Sequence, residues 1–246
     1  MEPVRSTRNP RVAPAVRLRR ARERKALGLT VLEGPHVVEE ARRAGAEVME
    51  VFGLGPAPAG YQHWTEVTPE VLSRLADTDN PRGPVAVIRI PPPGVVTRDH
   101  YSIDLGEPGN AGTLIRTAAA FGLDVTFSPG SVDPWSPKVL RAAAGAHFRT
   151  SIGEPPASRG TIATVVEGGV PPHRLGEVLD PTTTWAVLIG SEAHGLSSRD
   201  VAAAEIAVTI PMPGGVESLN AAVAGAIVGY ELGRWRYAEG TPASSR

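Results

Sequence analysis

Cysteine is absent from the 246-residue sequence, which excludes disulfides, thiolate metal sites and a cysteine nucleophile. Aromatic residues are scarce: four each of Phe, Tyr and Trp make up 5% of the chain, so an extended base-stacking platform is not expected. No apolar run reaches the roughly eighteen residues of a membrane span, and no apolar segment follows the N-terminal charges. The expectation is a cytoplasmic protein with neither leader nor spanning helix. A dominant charge sign is also missing, the formal total being −1. That total hides a segregation, because residues 1–25 carry nine Lys and Arg against Glu2 and Glu23, a net +7 that leaves −8 to the other 221 residues. A basic arm on such a body fits a polyanionic partner.

What is present, 41% hydrophobic and 21% charged residues, is the composition of a globular chain long enough for two domains. Pro91-Pro92-Pro93-Gly94 can continue neither a helix nor a central strand, and the boundary is placed there, giving residues 1–94 and 95–246. In the first part, Ala13–Leu27 reads as a basic helix, Gly34–Ala44 as a second helix, and Thr30–Glu33, Glu47–Gly53 and Val85–Ile90 as strands. In the second, strands at Tyr101–Leu105, Val125–Ser128, Thr161–Val166, Trp185–Gly190 and Ile206–Pro211 alternate with helices at Gly112–Phe121, Lys138–Phe148 and Glu217–Trp235. That alternation predicts an α/β fold with a mostly parallel sheet.

Three loops rich in Gly, Asn and Pro follow predicted strands, where open α/β sheets bind ligands. Glu107-Pro108-Gly109-Asn110-Ala111-Gly112 leads into a helix with Arg116 one turn inside, an arrangement suited to an anionic group. Gly190-Ser191-Glu192-Ala193-His194-Gly195 leaves a carboxylate and an imidazole at a strand's mouth, so that Glu192 can position a hydroxyl or act as a base. No second histidine stands at ligand spacing, and no metal site is expected. Ile210-Pro211-Met212-Pro213-Gly214-Gly215-Val216-Glu217-Ser218-Leu219-Asn220 ends a strand and presents Ser218 and Asn220 at the start of a small-residue helix that favours close backbone contact.

Taken in order, Asn110-x-Gly112-x3-Arg116, Ile189-Gly190-Ser191-Glu192-x2-Gly195-Leu196, and Ile210-Pro211-Met212 with Glu217-Ser218-Leu219-Asn220 resemble the three motifs of the SpoU/TrmH family of RNA ribose 2′-O-methyltransferases, in the SPOUT superfamily. The resemblance covers residues 99 to 236, and the first part is similar to the family's ribosomal-protein-like substrate-binding domain. It implies a trefoil-knotted catalytic domain, S-adenosylmethionine as cofactor, a homodimer, and structured RNA, ribosomal or transfer, as substrate. It also implies catalytic roles for Asn110, Arg116, Glu192, Ser218 and Asn220. Cofactor contacts fall on Thr164, Val165, Val166, Glu167, Ile189, Gly190, Ile210, Met212 and Leu219. The arginines Arg8, Arg17, Arg19, Arg20, Arg22 and Arg24 are the expected RNA contacts. Three departures stand out: Glu107 where an aspartate is usual, Ala143 where a serine is common, and a stretch at 154–160 that is short for the helix expected there. The alternatives are a non-catalytic RNA-binding protein on the same fold, and a nucleotide-dependent oxidoreductase, which lacks its Gly-x-Gly-x-x-Gly signature here.

Overall fold

The structure, a computed structural model, describes residues 2–191 and 194–240. Its elements in chain order are α1 (Val12–Arg17), α2 (Ala21–Leu27), β1 (Leu29–Glu33), α3 (Pro35–Arg43), β2 (Val48–Gly53), β3 (Trp64–Glu66), α4 (Pro69–Leu75), β4 (Val85–Arg89), β5 (His100–Ile103), α5 (Pro108–Phe121), β6 (Asp124–Phe127), α6 (Pro137–Ala143), β7 (Ile152–Gly153), β8 (Gly160–Thr164), β9 (Trp185–Ile189), α7 (Ser198–Ala203), β10 (Ile206–Val208) and α8 (Ala221–Ala238). They form two compact units. The first comprises residues 1–92 and 133–148, the second 93–132 and 149–246. The first unit therefore also takes in sixteen residues that follow the Pro-rich boundary.

The first unit is a four-stranded sheet in the order β1-β4-β2-β3, with β2 and β3 parallel and the other pairs antiparallel. Strand residues alternate between two buried clusters, as a pleat of period two requires. Val31, Phe52, Val85 and Val87 join Val12, Leu18 and Leu72, whereas Leu32, Val51, Ala86 and Ile88 join Val38, Ala41 and Leu140. Both faces are thereby covered. The single helix expected over Ala13–Leu27 is broken in two. Arg20 is extended at φ −90°, ψ 129° and caps α2, and the carbonyls freed by the break are taken up by Arg24. Its Nη1 donates to Leu18 O and Arg19 O at 2.9 and 3.0 Å, and its Nε and Nη2 both donate to Asp133 Oδ2 at 3.0 and 2.6 Å. Arg24 is 3% exposed, which corrects its assignment as an RNA contact: the guanidinium is consumed inside the unit. The helix expected to reach Phe148 stops at Ala143, because Ala144 and Gly145 take positive φ of 50° and 87°. Sequence periodicity also missed β3, α4 and α7, all of three to seven residues, too short to show a period.

The second unit is a six-stranded sheet in the order β10-β8-β9-β5-β6-β7, with every neighbouring pair parallel. Its central strands read as continuous apolar runs because both faces are buried; in Trp185–Ile189 only Leu188 is less than fully buried. No helix lies between β7 and β8. The chain crosses four strand positions between β7 and β8 through residues 155–159, a short irregular segment that bends at Ala157 and Ser158; at ~1.5 Å per residue a helix of that length is too short for such a crossing. Helix α8 packs through Gly225, Gly229 and Gly233, four residues apart: added Cβ atoms would strike Leu114 of α5, Tyr101 of β5 and Phe121 of α5 respectively. Tyr101 is fully buried, and its hydroxyl donates to Gly225 O at 2.7 Å. Burial pushes the Tyr101 phenol far above its ordinary range, so it stays a neutral donor. At the other end of α8, Arg236 Nε and Nη2 donate to the buried Asp99 at 2.5 and 2.8 Å.

Candidate functional site

The strand order of the second unit changes direction between β5 and β9, since β6 and β7 extend the sheet one way and β8 and β10 the other. Ligands in open α/β sheets sit outside the carboxyl ends of strands at such a point. On the β9 side of that point a cavity of about 590 Å³ opens among the segments that follow β8, β9 and β10 and the start of α8. Its volume is that of a small-molecule site.

Eight of the nine residues expected to contact a cofactor line it: Thr164, Val165, Val166, Ile189, Gly190, Ile210, Met212 and Leu219. Glu167 does not. It is exposed on the loop after Val166, because the chain turns away there through Gly168 at φ 81°. The expected Ser218 and Asn220 also line the cavity. Sequence reasoning passed over Ala221, Ala224 and Val228, which bring one face of α8 to the wall at a spacing of three and four residues; His194, which the sequence put at the strand's mouth, is exposed and lines the cavity. Gly190 has a specific reason to be glycine. A Cβ there would overlap the backbone of Gly195 and Leu196, where the loop after β9 crosses back over its own start, held by the Gly195 N–H donating to Ser191 O at 2.8 Å. Gly169 is equally constrained, a Cβ there falling 2.7 Å from the Ala207 carbonyl and Thr209 nitrogen.

The loop after β5 joins the start of α8 through one side-chain bond. Asn220 Nδ2 donates to Asn110 Oδ1 at 2.9 Å, while Asn220 Oδ1 accepts from the Ala222 and Val223 N–H groups at 2.9 and 3.2 Å. Both helix starts are thus tied together. Asn220 acts as a side-chain N-cap, which orients its amide. Asn110 is oriented in turn, because its own N–H donates to Glu107 Oε2 at 2.6 Å. Glutamate is long for this capping position, and Gly109 leaves room for it: a Cβ on Gly109 would lie 2.8 Å from that same oxygen. Arg116 is exposed on α5, six residues beyond Asn110, and so about 9 Å further along the helix axis. It does not line the cavity. Glu192 lies outside the described residues.

The described lining combines apolar area with hydrogen-bonding groups. No Lys, Arg, Asp or Glu is found among the described lining residues, so a sulfonium meets no like charge there. Val165, Ile189, Leu196 and Leu219 offer apolar area, while Ser191, Ser218, Asn220 and the strand-end backbone offer neutral hydrogen bonds. Among the described residues no cluster of His, Asp or Glu could hold a metal ion, and no helix is long and apolar enough to cross a membrane.

In the first unit, Arg8, Arg17, Arg19, Arg20 and Arg22 are exposed. Arg19 forms an ion pair with Asp77 at 3.2 Å; the side chains of the others have no ion pair among the described residues. His147 is buried against Trp135, and burial pushes its pKa down from 6.5 to about 4.

Known proteins match along the whole chain. The model of the SpoU rRNA Methylase family matches residues 102–230, and that of the MRM3-like substrate binding domain matches residues 9–86. A protein of Synechocystis described as an uncharacterized tRNA/rRNA methyltransferase is 33% identical, with 97% of this chain and 96% of that one covered. The 23S rRNA (guanosine(2553)-2′-O)-methyltransferase of Bacillus subtilis is 29% identical over 94% of this chain and 99% of its own. Among solved structures, an AdoMet-bound rRNA methyltransferase from Sinorhizobium meliloti superposes with a TM-score of 0.80 at 25% identity, covering 95% of this chain and 97% of that one. An RNA 2′-O ribose methyltransferase superposes with a TM-score of 0.77 at 28% identity, covering 96% and 100%. With two of its strand-end motifs lining one cavity, the third tied to it through the Asn110–Asn220 bond, and more than half of its length matched by the family model, this chain belongs to the SpoU rRNA methylase family.

Proposed function

We propose that this protein transfers a methyl group from S-adenosylmethionine to a ribose 2′-hydroxyl of structured RNA, with ribosomal RNA as the favoured substrate and tRNA as the second. The observation that carries the proposal is the convergence of Thr164–Val166, Ile189–Gly190, Ile210 and Met212, and Ser218–Asn220 on one cavity, with Asn110 bonded to Asn220. Support for ribosomal RNA comes from the activity named for the Bacillus relative. When bound, S-adenosylmethionine supplies an electrophilic methyl group on a sulfonium.

The chain's own residues must then place a hydroxyl oxygen in line with that methyl group and give its proton somewhere to go. Arginine is not a base at any accessible pH. Arg116 instead holds a phosphate of the target strand and stabilises charge developing on the 2′-oxygen, while Asn110, Ser218 and Asn220 orient the ribose and the polar end of the cofactor. Glu192 is assigned to holding the loop after β9. The 2′-proton leaves to a phosphate oxygen or to water.

A second copy of the chain is the proposed partner across α8. Val223, Tyr230 and Tyr237 are 47, 49 and 85% exposed at seven-residue intervals along it, an apolar stripe of the kind that associating helices cover. The first unit is proposed as the RNA-holding domain, with Arg8, Arg17, Arg19, Arg20 and Arg22 on phosphates, and the cytoplasm as the place of action. Titration calorimetry with S-adenosylmethionine and, separately, NAD tests the cofactor assignment. Saturable binding of the first alone is expected; binding of NAD alone would return the oxidoreductase alternative.

A further inference from the structure

Within the first unit, residues distant in sequence build one basic surface with α1 and α2. Asp133 is bound by the buried Arg24, the same guanidinium that holds the Leu18 and Arg19 carbonyls, and Thr30 Oγ1 donates to Trp135 O at 2.6 Å. The start of the 133–148 segment is thus locked to β1 and to the turn between α1 and α2. Four residues after Asp133, α6 begins, burying Val139, Leu140 and Ala143 and exposing Lys138 and Arg141, three residues apart on one face. Arg141 Nη1 lies 3.1 Å from Asp77 Oδ2, while Arg19 Nη2 lies 3.2 Å from Oδ1 of the same carboxylate. One carboxylate therefore holds two guanidinium groups side by side, both more than two-fifths exposed, and leaves a unit of positive charge in excess. Lys138, Arg17, Arg20, Arg22 and Lys25 are exposed, and no ion pair of theirs is found among the described residues.

We infer that Lys138 and Arg141 of α6 are RNA-phosphate contacts, extending the N-terminal basic surface across the bridge at Asp77. The inference rests on the proposed reading that the chain acts on RNA. Paired guanidinium groups fixed by a shared carboxylate present their outward N–H groups to the oxygens of a phosphodiester backbone, and such contacts position RNA without reading its sequence. Because the surface is made jointly by the turn between α1 and α2 and by α6, part of the grip on RNA comes from sequence beyond the Pro-rich boundary.

The test measures binding of the full-length protein to a fluorescent 20-base-pair RNA hairpin (~20 pairs suffices for several phosphate contacts) across a salt series. For Lys138→Gln/Arg141→Gln the slope of log affinity against log salt is expected to fall by about one to two, with affinity at moderate salt weakened on the order of tenfold. Lys138→Arg, which keeps the charge and leaves the Arg141–Asp77 pair in place, is expected to match the parent. Affinity for S-adenosylmethionine is expected to be unchanged in both. Lys138→Gln alone, at a residue with no partner to lose, should lower the slope by about one if the double variant does not fold. An unchanged slope and affinity in the neutral variants, with the parent protein binding the hairpin, overturns the inference alone; a parent protein that binds no RNA overturns the functional reading beneath it.

Discussion

Replacing Gly190 by Ala is the sharpest probe of how the cavity is made. The new methyl group would overlap the Gly195 carbonyl carbon and the Leu196 nitrogen by more than ~1 Å relative to the ~3.5 Å of ordinary carbon contact. Both obstacles are backbone, so no rotamer change relieves the clash. The loop after β9 must lift away from its own start, breaking the Gly195 N–H to Ser191 O bond. Forced overpacking of this kind costs about 1–3 kcal/mol. Gly190, Ser191, His194, Gly195 and Leu196 are all cavity wall, so most of that cost falls on the cofactor site. The expectation is a Kd for S-adenosylmethionine raised on the order of tenfold or more by calorimetry, with a melting temperature lowered by only a few degrees. Gly214→Ala, where a Cβ meets nothing within 4 Å, is the matched control and should behave as the parent. Parent-like cofactor affinity in Gly190→Ala would refute the reasoning that this crossing shapes the site.

Arg24→Ala leaves Asp133 without its partner and frees the Leu18 and Arg19 carbonyls; loss of one member of a buried pair costs about 3–5 kcal/mol, read as a large drop in thermal or denaturant midpoint. Arg116→Ala should abolish methyl transfer while cofactor affinity stays within about twofold, and retained turnover would remove Arg116 from the mechanism. Asn220→Ala removes both the α8 cap, worth about 1 kcal/mol, and the bond to Asn110; kcat should fall far more than stability accounts for. His147, held neutral by burial, titrates near 4 when folded and near 6.5 when unfolded. Its contribution to stability is full above pH 6.5 and is lost as the pH falls from there through 4, because the unfolded chain binds the proton first. His147→Gln should flatten the stability–pH curve over that window, and an unaltered curve would contradict the assignment.

The strands of the second unit and the cofactor cavity were largely legible in the sequence, because parallel strands buried on both faces appear as unbroken apolar runs and the Gly, Pro and Asn residues at their ends mark the ligand side. Ile189, Ile210 and Leu219, which the resemblance to the SpoU/TrmH family implies as cofactor contacts, line that cavity. What stayed hidden depends on tertiary partners. Nothing local marks Arg24 as interior among eight neighbouring cations; its burial follows from Asp133, more than a hundred residues away. The break between α1 and α2 has the same origin. The short β3, α4 and α7 carry too few residues to show a period, and the inclusion of 133–148 in the first unit follows from Leu140 and Trp135 packing on its sheet, which no linear pattern announces. The absence of a helix at 154–160 was visible as a shortage of residues.

The central claim is that a methyl group reaches a ribose oxygen in this cavity. Incubating the protein with ribosomal RNA and methyl-deuterated S-adenosylmethionine, then digesting the RNA and analysing nucleosides by mass spectrometry, tests it most directly. The account predicts deuterated methyl on the sugar of one nucleoside, absent with Arg116→Ala. Label on a base, or none in either ribosomal RNA or tRNA, would contradict it.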